Sequence, residues 1–281
     1  MTLSPPQGAI APNPEGWFAL CFSRDLQKGS SVQGNLAAQP YLLARQPGGI
    51  IEYSGAVTQV VEQNGFILGW HHPERKPPKW QVPPIDESFW RPAKFHQLEA
   101  SSHPQEIFEN SIDIAHFPTI HHYSDISVLK PMTTWNHTMS VRYAIARKSP
   151  VPWSAKRVRA EFEVFLHGIG CSHNTIDLPI GGLQVKMLVF ATPTTTGQVT
   201  IRLGVTIPKT TKNPFLRLLL PIIHKAVLTN IVHDFEQDCA IWNNKVFLSP
   251  PVLVATDGPI GDFRRWCQRF YKSAEGASDV L

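Results

Sequence analysis

One short stretch of the chain holds most of its candidate chemistry: Glu109-Asn110-Ser111-Ile112-Asp113-Ile114-Ala115-His116-Phe117-Pro118-Thr119-Ile120-His121. Asn110, Asp113 and His116 recur every third residue, so on a helix they stack along one face. His121 follows five residues after His116, beyond Pro118. A regular helix holds those two imidazoles apart, whereas a helix that breaks at Pro118 folds His121 back beside His116. Two imidazoles and one carboxylate on one side of a metal leave open positions opposite, the arrangement that Fe(II) needs to take O2 beside a substrate. Asp113 can accept a proton from a histidine ring nitrogen and so fix its tautomer. The third ligand must come from elsewhere, and a late helix offers Asp234, Glu236 and Asp238. With 12 histidines in 281 residues, close pairs such as His71-His72 arise by chance, so the spacing of Asn110 and Asp113 matters more than the pair.

The elements that must position these groups are legible as periodicity. Glu106–Phe117 is predicted as a helix, with Pro104 near its start and Pro118 ending it. Alternating sets follow at Met139–Ile145, Ala160–Leu166 and Val199–Ile207, each with one apolar face, which predicts an antiparallel sheet packed on one side. A long helix starts at Asn213, a suitable N-cap, with Pro214 in the first helical position, and runs to about Val246 with a kink at Pro221. Earlier, strands are expected at 16–20, 41–45 and 65–70, the last after the turn signal Asn64-Gly65. Residues 1–15 form a flexible leader, 16–72 a small β domain, 73–95 a Pro-rich connector, 96–271 the main domain and 272–281 a tail. The overall class is α+β.

Composition narrows the function. Hydrophobic residues make up 42% and charged residues 17% of the chain, which suffices for a large core. The net charge of +4 is not gathered into a basic face: Lys76 with Lys79, and Lys156-Arg157 with Arg159, are too short to follow a phosphate backbone, so no nucleic-acid partner is expected. The 4 cysteines, Cys21, Cys171, Cys239 and Cys267, form no CxxC pair and suit a reducing cytoplasm. No signal peptide is visible. The most apolar stretch, 214–232, is interrupted by Arg217, Pro221, His224 and Lys225, whereas a membrane span wants about 20 uninterrupted apolar residues. A cytoplasmic protein with peripheral membrane contact left open is the expectation.

The pattern Asn110-x2-Asp113-x2-His116-x4-His121 resembles the signature of the catalytic domain of Rieske non-haem iron oxygenase α subunits. Gln237-Asp238-Cys239-Ala240-Ile241-Trp242 resembles the Gln-Asp-x-x-Ile-Trp pattern of the ketosteroid hydroxylase branch. Asp257-Gly258-Pro259, Phe263-Arg264-Arg265-Trp266 and Phe270-Tyr271 are similar to the end of that domain. The resemblance runs from Gly16 to Tyr271. It implies a helix-grip (START/SRPBCC-like) catalytic domain after a truncated Rieske-like β domain, mononuclear Fe(II) held by His116, His121 and Asp238, and O2 as co-substrate. Asp113 would be an outer-shell group and electron bridge, and Asn110 a support for the helix and a gate to the site. Trp242, Trp266 and Cys239 read as packing residues and Asp234 as a solvated helix charge.

Family members also carry a two-iron, two-sulfur cluster ligated by Cys-x-His and Cys-x2-His elements. Neither is expected in this chain: Cys21 is followed by Phe22 and Ser23, no other cysteine precedes Cys171, and the cluster hairpins look excised around 47–52. The resemblance therefore implies a chain without its own cluster, served by a separate Rieske or ferredoxin-type donor and a reductase, in a trimer that is homomeric or shared with a cluster-bearing paralogue. The expected reaction is hydroxylation, or desaturation or demethylation through a hydroxylated product. The substrate would be an apolar polycycle or aromatic in a cavity lined by Leu218, Ile222, Val227, Met187 and Phe190. The alternatives are a catalytically silent apolar-ligand carrier or assembly subunit, and a metal hydrolase or lyase, for which no Ser/His/Asp or general-base motif is present.

Overall fold

The computed structural model describes residues 10–148, 157–179, 182–254 and 256–271. The expected tail at 272–281 and residues 1–9 of the leader lie outside them. Residues 10–15 are packed rather than loose: the Glu15 N–H donates to the Phe270 carbonyl at 2.7 Å, and its buried carboxylate meets His72 at 3.0 Å and Lys79 at 2.9 Å.

The N-terminal strands form two three-stranded antiparallel sheets. One holds β1 (Gly16–Phe22), β6 (Phe66–His71) and β5 (Gln59–Gln63), and the other β2 (Ser31–Leu36), β3 (Gln39–Arg45) and β4 (Ile51–Gly55). Strand β1 reads as an unbroken apolar run because both its faces are covered. Phe18 and Leu20 join Leu36, Leu43 and Ile67 in a small core of the unit's own, while Trp17, Ala19 and Phe22 face the main core. At the β5–β6 turn Asn64 and Gly65 both have positive φ, 49° and 82°, as a two-residue hairpin of this type requires. Residues 73–92 hold turns and one isolated bridge, at Trp90, rather than regular strands, yet they are tied down. Trp17 Nε1 donates to the Trp80 carbonyl at 2.8 Å and Asn64 brackets Ile85 through both its amide atoms.

The main sheet has seven antiparallel strands in the order β7 (Lys94–Ala100), β13 (Val199–Thr206), β12 (Leu183–Pro193), β11 (Cys171–Leu178), β10 (Arg157–His167), β9 (Thr138–Lys148) and β8 (Ser124–Trp135). All three alternating sets expected from the sequence are strands here. One face meets the small β unit: Phe190 packs on Phe66 with ring centroids 4.7 Å apart, and Arg202 donates to the Ala19 carbonyl at 2.8 Å. The other face meets the long helix α3 (Pro214–Trp242), the helix-grip arrangement. Asn213 caps it, its side chain accepting from the backbone N–H groups of Phe215 and Leu216. The helix stops at Trp242 rather than Val246. A short helix, α4 (Ile260–Cys267), closes the domain.

The predicted helix over Glu106–Phe117 is two helices. The first, α1, spans Pro104–Glu109 and the second, α2, spans His116–Ile120, with a turn between them. Asn110, Asp113 and His116 therefore do not share one helix face. Polar turn formers cause the break: the Asp113 carboxylate accepts from the Ala115 N–H at 3.1 Å, a local bond that competes with helix. Pro118 does not end a helix either. It occupies the third position of α2, where the missing N–H would have had no intrahelical partner.

A row of histidines lies under the connector. His137 stacks on Trp80 at 4.9 Å, and His167 and His173 meet edge-on at 4.9 Å. Burial, with His137 beside it, lowers the His167 pKa to about 4, and burial, with His167 and Lys186, lowers that of His173 to about 3. The unfolded chain therefore binds protons below pH 6.5 that the folded chain refuses. Stability is expected to be full above pH 6.5 and to fall as the pH drops toward 4. One such histidine costs about 2 kcal/mol between pH 6.5 and 5, several degrees of melting temperature. Thermal melts at pH 7 and pH 5 check this, and His167→Gln should reduce the difference, His173 supplying what remains. Equal melting temperatures would refute it.

Candidate metal centre

His116 opens α2, His121 caps its end and Asp238 sits four residues before the end of α3. Each offers one ligand atom, and the three atoms lie within 4.8 Å of one another, the sole such histidine, cysteine and carboxylate group among the described residues. The imidazoles stand nearly perpendicular, with ring centroids 5.2 Å apart and an angle of 82°. His121 Nε2 is 3.3 Å from Asp238 Oδ1, and both side chains are about nine-tenths buried or more.

The other ring nitrogens are fixed. His116 Nδ1 bonds the Asp113 backbone carbonyl, so the turn, not the Asp113 carboxylate, orients this ring. His121 Nδ1 bonds Gln237 Oε1 at 3.1 Å. Both rings thus donate through Nδ1: His116 presents an Nε2 lone pair to the shared space, and His121 turns Nε2 to Asp238, where a metal ion would displace its proton. Burial lowers the His116 pKa, against the pull of Asp238, keeping this ring neutral. Burial also pushes His121 downward, but Asp238 and Gln237 outweigh it and the net direction is up. Gln237→Leu removes only the orienting acceptor. It is expected to weaken ferrous binding about 10–100-fold with little change in melting temperature, which titration against a competing chelator will show. Unchanged affinity would mean the ring is held by packing alone.

The turn between α1 and α2 is clamped from behind. A Cβ on Gly258 would collide with the Ile112 carbonyl, so the backbone after α3 lies directly on the turn. Arg264 of α4 forks onto Glu109 with bonds of 2.6 and 2.8 Å. Lys245 lies 3.5 Å from the same carboxylate.

The three candidate ligands form part of the wall of a cavity that opens to solvent. Its apolar lining includes Ile107, Phe108, Ile145, Phe162, Ile176, Met187, Val189, Ile231, Phe235 and Trp242. Of the lining expected from the sequence, Met187 is there and Val227 borders a smaller adjoining cavity. Leu218 and Ile222 are not: they are 80% and 49% exposed on the far side of α3. Phe190 points to the opposite face of the sheet, since its strand alternates. Asn110 lines the cavity, whereas Asp113 lies behind it in the turn.

Sequence reasoning missed several polar groups in this wall. Asp234, read as a solvated charge, accepts from the Tyr123 hydroxyl at 2.6 Å and from Arg147 at 3.1 Å. Burial raises the Tyr123 pKa, so this phenol stays protonated. Ser172 donates to Asn174 Oδ1 at 2.8 Å, leaving the amide hydrogens of the buried Asn174 free to face the cavity. An arginine, a serine and an asparagine on the apolar faces of β9 and β11 were the available signal. One Cys-x-His does occur, Cys171-Ser172-His173 in β11, but burial pushes the Cys171 thiol well up and all four cysteines are buried and unbridged.

A sheet closed on a long helix, with two histidines and an aspartate converging at the wall of an apolar cavity, defines the catalytic-domain class of Rieske-type oxygenases. Within that class, the 3-ketosteroid 9alpha-hydroxylase C-terminal domain matches residues 69–271, and the chain belongs to that family. Cholesterol 7-desaturase of Caenorhabditis elegans is 28% identical over 274 residues, covering 86% of this chain and 60% of that protein. The probable 3-ketosteroid-9-alpha-monooxygenase oxygenase component of Rhodococcus rhodochrous is 27% identical over 229 residues, covering 77% and 57%. The chain thus spans about three-fifths of the length of these relatives. Dicamba monooxygenase bound to 3,6-dichlorosalicylic acid shares the fold, with a TM-score of 0.64 at 11% identity over 93% of this chain and 98% of that one. The QL mutant of Pseudomonas putida CBB5 NdmA with theobromine does so at 0.63 and 11%, over 90% and 89%.

Proposed function

We propose that this chain is the substrate-oxidising subunit of a non-haem iron oxygenase, with Fe(II) held by His116, His121 and Asp238. The observation that carries this is the convergence of those three ligand atoms at the wall of an apolar cavity. The donor set suits the ion: two imidazoles and a carboxylate, with both Nδ1 atoms already engaged. Bound there, Fe(II) supplies O2 activation. Overall, one substrate C–H becomes C–OH, O2 also yields one water, and two electrons and two protons are consumed.

The chain's own residues do the rest. The apolar wall binds a ring system and excludes water. Asn174, held by Ser172, donates to one oxygen of an otherwise apolar substrate. Tyr123, Arg147 and Asp234 close a hydrogen-bonded network that keeps these charges paired in the wall. Asn110 lines the cavity, and Asp113, whose carbonyl bonds the His116 ring, would be the bridge for an electron supplied from outside the site. With no Cys-x-His or Cys-x2-His before Cys171, the electrons come from a separate iron–sulfur protein and its reductase, within a trimer as the family resemblance implies. The relatives named for cholesterol and 3-ketosteroids support a steroid or similar polycycle as substrate, hydroxylated or desaturated. The division at 16–72, 73–95 and 96–271 and a cytoplasmic location complete the reading.

Anaerobic reconstitution with ferrous iron, followed by nitric oxide as an O2 mimic, tests it by electron paramagnetic resonance. One ferrous–nitrosyl centre per chain is expected, absent in His116→Ala. No iron in the unaltered chain, or a signal indifferent to that substitution, would leave an apolar-ligand or assembly subunit as the better reading.

A further inference from the structure

The first half of α3 presents an apolar row to solvent. Phe215, Leu218 and Ile222 are 67%, 80% and 49% exposed. Their spacing of three and four places them on one helix face, and Lys225, three residues on, extends that face. Lys212 and Arg217 flank it. No Asp or Glu occurs between Lys209 and His233. Among the described residues Lys212, Arg217 and Lys225 form no ion pair. An exposed apolar row of this kind, ringed by unpaired cations, marks a docking surface.

The same turns of α3 have a second side. Ile223 and Val227 are buried beneath Ile222. Val227 and Asn230 border a small cavity that also touches Leu178 and Val185 and shares Arg147, Ile176 and Ile231 with the metal-bearing cavity. The two cavities thus share walls between the candidate ligands and the turns of α3 that follow the row. Although α3 is long and apolar enough to cross a membrane, its second half buries Ile231, Asp238, Cys239 and Trp242 in the fold. It can lie on a bilayer but not span one.

We propose that the first half of α3 is a seat on an anionic lipid bilayer, with Phe215, Leu218 and Ile222 entering the headgroup boundary and Lys212, Arg217 and Lys225 reaching lipid phosphates. An exposed apolar row with cations at its flanks suits a helix face that lies along a bilayer, its basic heads at the phosphates and its apolar tips just beneath them. A symmetric contact with a second copy would bring the same cations face to face, which disfavours it. The consequence for the cavity, entry of an apolar substrate straight from the lipid, rests on the function proposed above, whereas the lipid contact itself does not.

Flotation of the full chain with vesicles tests it without reference to activity. The unaltered chain is expected to float with phosphatidylcholine vesicles containing phosphatidylserine, far less with phosphatidylcholine alone, and less in high salt. Reversing Lys212, Arg217 and Lys225 to Glu should weaken binding on the order of a hundredfold. Leu218→Ser with Ile222→Ser should weaken it at least about tenfold. All five positions are exposed, and thermal melts confirm that the variants fold. Failure of the unaltered chain to float, or flotation unaffected by either variant, overturns the proposal. So does a self-associated chain that the serine pair makes monomeric while vesicle binding stays unchanged. In each failing case the ferrous–nitrosyl signal still stands or falls by itself.

Discussion

Asp238→Ala is expected to leave a folded chain that does not retain ferrous iron. Asp238 is the sole carboxylate of the converging group and is buried beside His121. Its removal leaves two imidazoles, a ligand set with no anion to offset the charge of the ion. Four-ligand zinc sites gain about 10–16 kcal/mol, so one lost ligand costs about 3 kcal/mol, more than a hundredfold in affinity. Iron per chain after desalting, with the ferrous–nitrosyl signal as the second readout, measures this. The alanine fits the helix, so circular dichroism should change little. Iron retained within about twofold of the unaltered chain would place the metal elsewhere and remove the basis of the oxygenase reading.

The second large effect concerns a residue that touches neither metal nor cavity. Glu109 is 4% exposed, accepts two bonds from Arg264 and faces Lys245. Arg264 in turn donates to the Leu248 carbonyl and lies over the Phe247 ring at 4.2 Å. Glu109→Ala strands Arg264 in a largely buried site, whereas Lys245 keeps Glu106 at 3.6 Å, and breaking such a pair costs about 3–5 kcal/mol. Urea denaturation should show that loss, and iron occupancy should fall with it because the next residues are the ligand-bearing turn. Replacing Glu109 and Arg264 together by methionine should cost much less, since neither charge is then left alone. A loss below about 1 kcal/mol for Glu109→Ala would reduce the clamp to a surface contact.

Much of this was readable in the residues. The cap at Asn213-Pro214 and the alternation of β9, β10 and β13 are local signals, and each is where expected. The convergence of His116, His121 and Asp238 was legible through their match to a known pattern rather than through helical spacing. The single helix meant to present Asn110, Asp113 and His116 is in fact two helices and a turn. Helix periodicity cannot reveal such a break, because the side-chain bonds of Asp113 and the contact from Gly258 decide it. The exposure of Leu218 and Ile222 was misread for a related reason: α3 is apolar nearly all round, so composition alone does not say which side faces the sheet. Asp234, Tyr123 and Arg147 were out of reach because their meeting depends on β9 and α3 coming together across 87 positions of chain.

The clamp on the ligand-bearing turn sets an order of events during synthesis. Arg264 reaches back 155 positions to Glu109, and Gly258 must arrive before the Ile112 carbonyl has its neighbour. A nascent chain that has exposed only the sheet strands holds His116 and His121 with neither Asp238 nor the strap that shapes their turn. Such long-range closure forms late and slowly. On the function proposed above, iron meeting an unfinished chain would find two imidazoles and no pocket, so loading would wait for α4 to leave the ribosome, and a protein truncated before α4 should be made without its metal.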